Sequence, residues 1–366
     1  MSEPATRESV IPHLQQFCSA PPPATRSTMS RSAQAFTIQQ VPSFPFETID
    51  RLLARYPFPP YRHWSAGGRD VARQILRWDL LHKAPAESSQ CWLAMAASEP
   101  LGLAVGEPSR WESEQLGTRM VELRHLIVVG NRAQRQEVAE ALLVAIKRFW
   151  METPTCLIHR LDSADSATIA ALEAESFRLV DTGVSFIRDA TAVRSHLNRI
   201  FHHPCPGRPY QPEDHPEMEA IVRRSRFGGR LYHDSHLPEE KVDALYREWA
   251  RLCCEGIFAD QVMVAARAGR IGGFISYQFQ RDLYEATGMR VVGRGLLAVA
   301  PEHRGLAAEL IRSAMLIERQ TEFFQCDIHL ENLELLGMYG RVFRMEVAHV
   351  RHVFHGWVGI QGDESA

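Results

Sequence analysis

The chain carries little hydrophobic periodicity before about residue 45, and from there short apolar runs alternate with stretches of helical spacing. Trp92-Leu93-Ala94-Met95 and Leu101 to Val105 predict a strand pair, Leu126 to Val129 predicts a buried strand, and Val138, Leu142, Ile146 and Phe149 share one helical face. A strand at Cys156 to His159 and a helix from Ser166 to Ser176 follow, then a short apolar passage at Val184-Ser185-Phe186. In the second half, Glu217 to Arg224 and Lys241 to Cys253 read as helices, the latter with Leu245, Trp249 and Leu252 turned inward. Val262 to Ala266 and Ile271 to Phe279 predict a hairpin around Ala268-Gly269-Arg270. The run Leu296 to Ala300 stops at Pro301. Past Arg304-Gly305, the residues Leu306, Leu310, Ile311, Ala314, Met315 and Ile317 recur at helical spacing. A strand near Cys326 to Leu330 leads into a helix carrying Asn332 and Tyr339. Strand, turn and helix therefore occur in the same order twice, which predicts an α/β chain with a mixed central sheet flanked by helices.

The two turns differ in one respect. At Arg304-Gly305 the first backbone N–H groups of the coming helix, with the positive end of its dipole, lie beside a residue with no side chain, so a phosphate could approach closely. The corresponding turn of the first half reads Arg132-Ala-Gln-Arg-Gln-Glu137 and has no glycine to permit that approach. Gly293-Arg294-Gly295 lacks the third glycine of a dinucleotide fingerprint and reads as a strand irregularity.

Composition narrows the function classes. With 366 residues and 45% apolar content the chain supplies two domain-sized cores. A net charge of −3 and a pI near 6.6 give no electrostatic reason to expect nucleic acid or an anionic membrane as a partner. The seven cysteines are an odd number and scattered, which suits a reducing, cytoplasmic setting rather than a disulfide framework. No apolar run reaches the roughly 18 to 20 residues of a membrane span, and the N-terminus shows no apolar core of a secretory signal. Pro, Ser, Thr, Ala and Gln dominate residues 1–45, which predicts a mobile tail. Prolines at 204, 206, 209 and 212 mark a linker over 191–212, leaving domains at 46–190 and 213–360. His202, His203, Cys205 and His215 in and beside that linker lack zinc spacing, and no metal is expected.

These residues resemble a known family. Arg304-Gly305-Leu306-Ala307-Ala308-Glu309 is similar to the pyrophosphate loop of the GNAT acetyltransferase superfamily, which runs Arg/Gln-x-x-Gly-x-Gly/Ala directly after a strand. Ala307 stands where the motif has its first glycine and Glu309 where Gly or Ala is usual. Asn332, Tyr339 and Phe343 fall at the family's Asn, six residues, Tyr, three residues, Phe spacing. Trp111-Glu-Ser-Glu-Gln-Leu-Gly117 resembles a Trp-Asp-Ser-Glu-Phe-Phe-Gly signature of tandem proteins similar to dTDP-4-amino-4,6-dideoxygalactose (dTDP-fucosamine) N-acetyltransferase. Phe177-Arg178-Leu179-Val180 and Ser225-Arg226-Phe227 are similar to further passages of that type. The resemblance implies a tandem GNAT fold whose first half is a degenerate copy that does not bind CoA.

It also implies roles. Backbone groups of Leu297, Ala298 and Val299 would hold the pantetheine of acetyl-CoA and polarise the thioester carbonyl, and Arg304, Gly305, Leu306, Ala307 and Ala308 would hold the diphosphate. Asn332 would orient the thiol-side machinery, with Tyr339 as general acid, since a phenol of pKa about 10 stays protonated at neutral pH. Arg226 and His233 would line the acceptor site. The run Leu296 to Ala300 offers no carboxylate as general base. The implied activity is acetyl-CoA-dependent N-acetylation of a small-molecule primary amine, with a nucleotide-linked amino sugar as candidate. A peptide, polyamine or aminoglycoside acceptor and a non-catalytic acyl-CoA-binding protein are the alternatives. A homodimer is the candidate assembly.

Overall fold

The computed structural model describes residues 36–360 apart from 86–87, 205 and 318–319. In chain order the first half runs β1 (Thr37–Val41), α1 (Phe46–Arg55), α2 (Gly68–His82), β2 (Gln90–Ala96), β3 (Glu99–Pro108), α3 (Arg110–Leu116), β4 (Arg119–Val128), α4 (Arg132–Trp150), β5 (Thr155–Asp162), α5 (Ser166–Ala174) and β6 (Arg178–Asp189). The second half runs α6 (Ala190–Ile200), β7 (Gly207–Pro209), α7 (His215–Arg224), α8 (Arg230–His233), α9 (Glu239–Cys254), β8 (Gln261–Arg267), β9 (Arg270–Phe279), α10 (Arg281–Thr287), β10 (Val291–Val299), α11 (Leu306–Ile317), β11 (Phe323–His329), α12 (Leu333–Gly337) and β12 (Glu346–Val358). Of the expected tail, residues 1–35 lie outside the described residues, while Thr37–Val41 pairs antiparallel with β2. The expected linker is likewise ordered into α6 and β7.

All twelve strands form one mixed sheet in the order β1-β2-β3-β4-β5-β12-β6-β11-β10-β9-β8-β7. Replacing each first-half strand by its counterpart six places on returns the same order reversed, so the halves are related by an approximate two-fold through the middle of the sheet. The two central strands have changed sides. β12, the last strand of the second half, pairs with β5, and β6, the last of the first, pairs with β11. β6 and β12 then pair antiparallel with each other from Glu346↔Ile187 to His355↔Arg178, closing the seam.

Packing follows this exchange. Phe354 and Val358 of β12 are buried with Trp92, Leu157 and Phe177 under α4, in the core of the first half. Val184 and Phe186 of β6 are buried with Leu310, Ile311 and Met315 of α11, in the core of the second, and Val193 and Leu197 of α6 join them. On the opposite face, α7 and α9 cover Cys156, Ile158 and Val353. Tyr61 and Trp64, from the loop between α1 and α2, cover Ile187, Val291 and Ala348.

Each half thus completes the other's core, and the two should unfold together. Phe354→Ala removes a fully buried ring and should lower stability by about 3 to 5 kcal/mol, seen as an earlier but still single transition in guanidinium by circular dichroism and tryptophan fluorescence. Two separated transitions in the wild type would show that the halves are independent.

Candidate active site

The site grows out of the way β10 and β11 part. They pair in parallel only at Val291↔Phe323, Val292↔Phe324 and Gly293↔Gln325, and beyond that rung the strands diverge. On its other side β10 stays bound to β9, with a bulge between Arg294 and Leu297 at the end of the Gly293-Arg294-Gly295 stretch, where the sequence predicts a strand irregularity. Ser276 fills the bulge: its Oγ accepts from Leu296 N at 2.8 Å, an approach that a Cβ on Gly295 would block at 2.5 Å. The Ala300 N–H bonds the Gly272 carbonyl. Alternation along a strand then directs the backbone groups of Ala298 to β9 and those of Leu297 and Val299 to the open gap. Two of the three expected residues therefore turn their backbone hydrogen-bonding groups toward the gap.

The gap opens into a cleft of about 650 Å³. Leu297, Ala298, Val299, Arg304, Asn332 and Arg226 all line it, so the end of β10, the turn before α11 and the loop before α8 meet in one cavity. Past a 3-10 turn at Pro301–His303, Arg304-Gly305 leads into α11 through Leu306, Ala307 and Ala308. A Cβ on Gly305 would meet nothing within 4 Å, so internal packing makes no demand for glycine there. Its bareness keeps the helix terminus open. Among the described residues no hydrogen bond engages the Arg304 guanidinium. Glu309, the departure from the motif, is taken up by His203 Nε2 at 2.7 Å and Arg312 Nη1 at 3.1 Å, which hold its carboxylate away from the turn.

Other expected residues hold different positions. The Asn332 side chain accepts from Leu335 N at 3.1 Å and caps α12, while lining the cleft. Tyr339 lies in a π-helical turn, Met338–Val342, and is 1% exposed in the α11 core, against Phe186 and Phe343. Its ring centroid is 5.9 Å from the Arg294 guanidinium carbon. Its hydroxyl meets the Cys326 thiol, one residue past the last rung of the split, and burial pushes its pKa well above the ordinary phenol range. Arg226 is at the rim, 3.2 Å from Glu239 and stacked on Tyr232. His233 stands outside the cleft wall: its Nδ1 bonds the Val180 carbonyl at 2.8 Å and its Nε2 lies 3.1 Å from Glu331.

The cleft floor comes largely from strands whose patterns gave no site signal. Arg160 of β5, Arg351 of β12, Asp181 of β6, Asp327 and His329 of β11 and Arg294 of β10 share it. Arg160 pairs with Glu122, and Glu112, from the Trp111–Gly117 heptapeptide, pairs with Arg230 across the two halves. Arg351 lies 3.3 Å from Asp327, whose carboxylate also accepts from Ser185. Desolvation works to raise the Asp327 carboxyl, but Arg351 and Ser185 outweigh it and hold it below the usual range.

In the first half β4 and β5 also part, after Leu123↔His159. There the loop after α1 fills the corresponding place. Arg62 grips Asp162 with two bonds, at 2.7 and 3.0 Å, and the Phe58 ring lies under both Arg62 and Arg135, 5.4 and 5.1 Å from its centroid. Of the histidines weighed as metal ligands, His203 is bound to Glu309, and Cys205 lies outside the described residues. A buried group elsewhere, Cys156, Asp234 and His355, brings its ligand atoms within 4.8 Å of one another. Asp234 accepts from His355 Nδ1 at 2.6 Å, Trp357 Nε1 at 2.9 Å, and His236 N and Nδ1 at 3.0 and 3.1 Å. It thereby clamps the second-half loop onto β12.

No family model matches the sequence, and no curated protein matches it. Among solved structures, a GCN5-related N-acetyltransferase from Sphaerobacter thermophilus is 14% identical with a TM-score of 0.52, covering 88% of this chain and 95% of its own. A tandem GNAT protein from the clavulanic acid biosynthesis pathway is 13% identical with a TM-score of 0.48, covering 90% of this chain and 100% of its own. The first match shows that the chain has the GNAT fold. No described helix is long and apolar enough to cross a membrane.

Gly229 and Gly305 make a testable contrast. Gly229 has φ +84°, and a Cβ there would lie 2.3 Å from His329 Cε1. Gly229→Ala should cost about 1 to 3 kcal/mol through backbone strain and overlap, whereas Gly305→Ala should leave the denaturation midpoint unchanged. Equal midpoints for the two variants would refute the assignment.

Proposed function

We propose that this protein is an acetyl-CoA-dependent N-acetyltransferase with one acyl-CoA site, in the second half, acting on the primary amine of a small molecule. A nucleotide-linked amino sugar is the candidate acceptor. One observation carries the reading: the split between β10 and β11, the free backbone groups of Leu297 and Val299, and the open helix terminus with its unengaged Arg304 all face one cleft. An extended pantetheine would run along the gap as an added strand, hydrogen-bonded to Leu297 and Val299. Its diphosphate would rest on the first N–H groups of α11 and on Arg304. Near the bulge, backbone N–H groups would stabilise charge developing on the thioester oxygen. The first half would bind no acyl-CoA, because Phe58, Arg62 and Arg135 occupy the corresponding place.

Calorimetry with acetyl-CoA should give one site per chain, weakened by Arg304→Ala or Gly305→Glu and unchanged by Arg132→Ala. Incubation with acetyl-CoA and a panel of dTDP- and UDP-linked amino sugars, polyamines, peptides and aminoglycosides should yield one acetylated amine by mass. Binding without acetylation of any amine would instead mark an acyl-CoA-binding protein.

Tyr339 is assigned as the proton donor to the leaving thiolate. Its hydroxyl lies beside the last rung of the split, and its raised pKa keeps it protonated. Tyr339→Phe should lower kcat by about 10²- to 10⁴-fold with little change in acetyl-CoA affinity. A kcat within threefold of wild type would remove it from the mechanism.

A further inference from the structure

Resting on the acetyl-transfer reading, we infer that His329 is the general base of the site and that Asp181, supplied by the first half through the exchanged strand β6, is its positioning residue. His329 Nδ1 is 2.5 Å from Asp181 Oδ2. A carboxylate at that distance fixes Nδ1 as the proton-bearing nitrogen and leaves the lone pair on Nε2. The His329 side chain is 39% exposed and lines the cleft, and among the described residues Nε2 has no hydrogen-bond partner. Asp181 is 5% exposed. Desolvation works to raise its carboxyl, but the His329 bond and charge outweigh that and hold it below the usual range, so it remains an anion beside the imidazole.

The surroundings give the ring a fixed place and a free front. Gly229, with no side chain, lies against one side of it. His329 and Arg351 both stand opposite Gly183 of β6, where a Cβ would meet nothing within 4 Å. That bare floor on the strand facing His329 leaves open space in the cleft for an amine.

The other charged groups around it are poorer bases. Asp327, on the same strand, is held ionised by Arg351 and Ser185, and Asp181 by His329 itself. His233 has both nitrogens engaged, and Glu331 accepts from Gly229 N at 3.0 Å while facing His233. Arg294 and Arg351 carry no lone pair at working pH. An imidazole with one free lone pair is the side chain suited to proton abstraction near neutrality.

In the step, the amine nitrogen bonds to the thioester carbonyl carbon and gives its proton to His329 Nε2. The C–S bond then breaks, the thiolate leaves with a proton from Tyr339, the imidazolium releases its proton to solvent, and the Tyr339 phenolate takes one back from solvent. The products are the amide and CoA.

The test uses the full chain and the amine that the wild type acetylates. In His329→Gln, kcat/KM should fall about 10²- to 10⁴-fold, and the rising limb of its pH profile should vanish, while acetyl-CoA affinity and near-ultraviolet circular dichroism stay as in the wild type. Asp181→Asn should keep more activity and move that limb to lower pH, which a merely structural role would not do. A His329→Gln enzyme within threefold of wild type, or an unmoved limb in Asp181→Asn, overturns the proposal. ¹⁵N NMR of the histidine rings judges it separately. It should show the Nδ1–H tautomer of His329 at pH 7.5, and a proton on Nε2 would overturn the base role even if no amine in the panel is acetylated. That last result would strike the acetyl-transfer reading itself.

Discussion

The antiparallel pairing of β6 with β12 is the constraint on which the rest of the molecule depends. Twelve strands become one sheet only because these two lie side by side, each bordered by the other half's fifth strand. Side chains of one face of β12 enter the first-half core, and those of β6 enter the core beneath α11. Their other faces, with Asp181, Gly183 and Arg351, make the cleft floor. The division into two halves is therefore one of sequence, and the packing and the site both cross it.

The same topology yields an open split in one half and a filled one in the other, and the difference is local. In the second half a bare turn precedes α11 and Arg304 stays unengaged. In the first, the loop after α1 bends over the strand ends and ties itself down through the Arg62–Asp162 pair. Asp162 is almost fully buried, so its charge requires that partner, and the pair and the filled position hold each other in place. The first half nevertheless reaches the open cleft, to which it contributes Asp181, Arg160 and Glu112.

What could be read from the sequence follows from which elements answer to one environment. α11 and the end of β10 were legible because each buries one face, and the turn between them because Pro301 and Gly305 mark it. β12 was invisible, since Ala348, Val353, Phe354 and Val358 enter three different cores and His349, Arg351 and His355 interrupt the apolar run. β4 was seen only at its end, because Glu122 and Arg124 hide its alternation. β1 lies in a polar stretch, TIQQV, with no apolar face to announce it. Asp181 and His329 are 148 positions apart, and no spacing rule links them. Only the exchange of strands brings them together. Asn332 and Tyr339 are legible by spacing alone: Asn332 caps α12 while lining the cleft, and Tyr339 lies in the α11 core with its hydroxyl on Cys326, beside the last rung of the split.

The exchange also has a consequence for synthesis. When the ribosome has delivered β5, its outer edge has no partner, because the strand that will cover it ends at Val358. At about 5–20 residues per second that edge waits on the order of 10 to 40 s, a template for pairing with any other nascent chain. A released fragment ending in the second half would keep the same exposed edge permanently. The first half is thus the earlier to be made and among the last to be sealed, so the interval in which its edge stands open is written into the strand order.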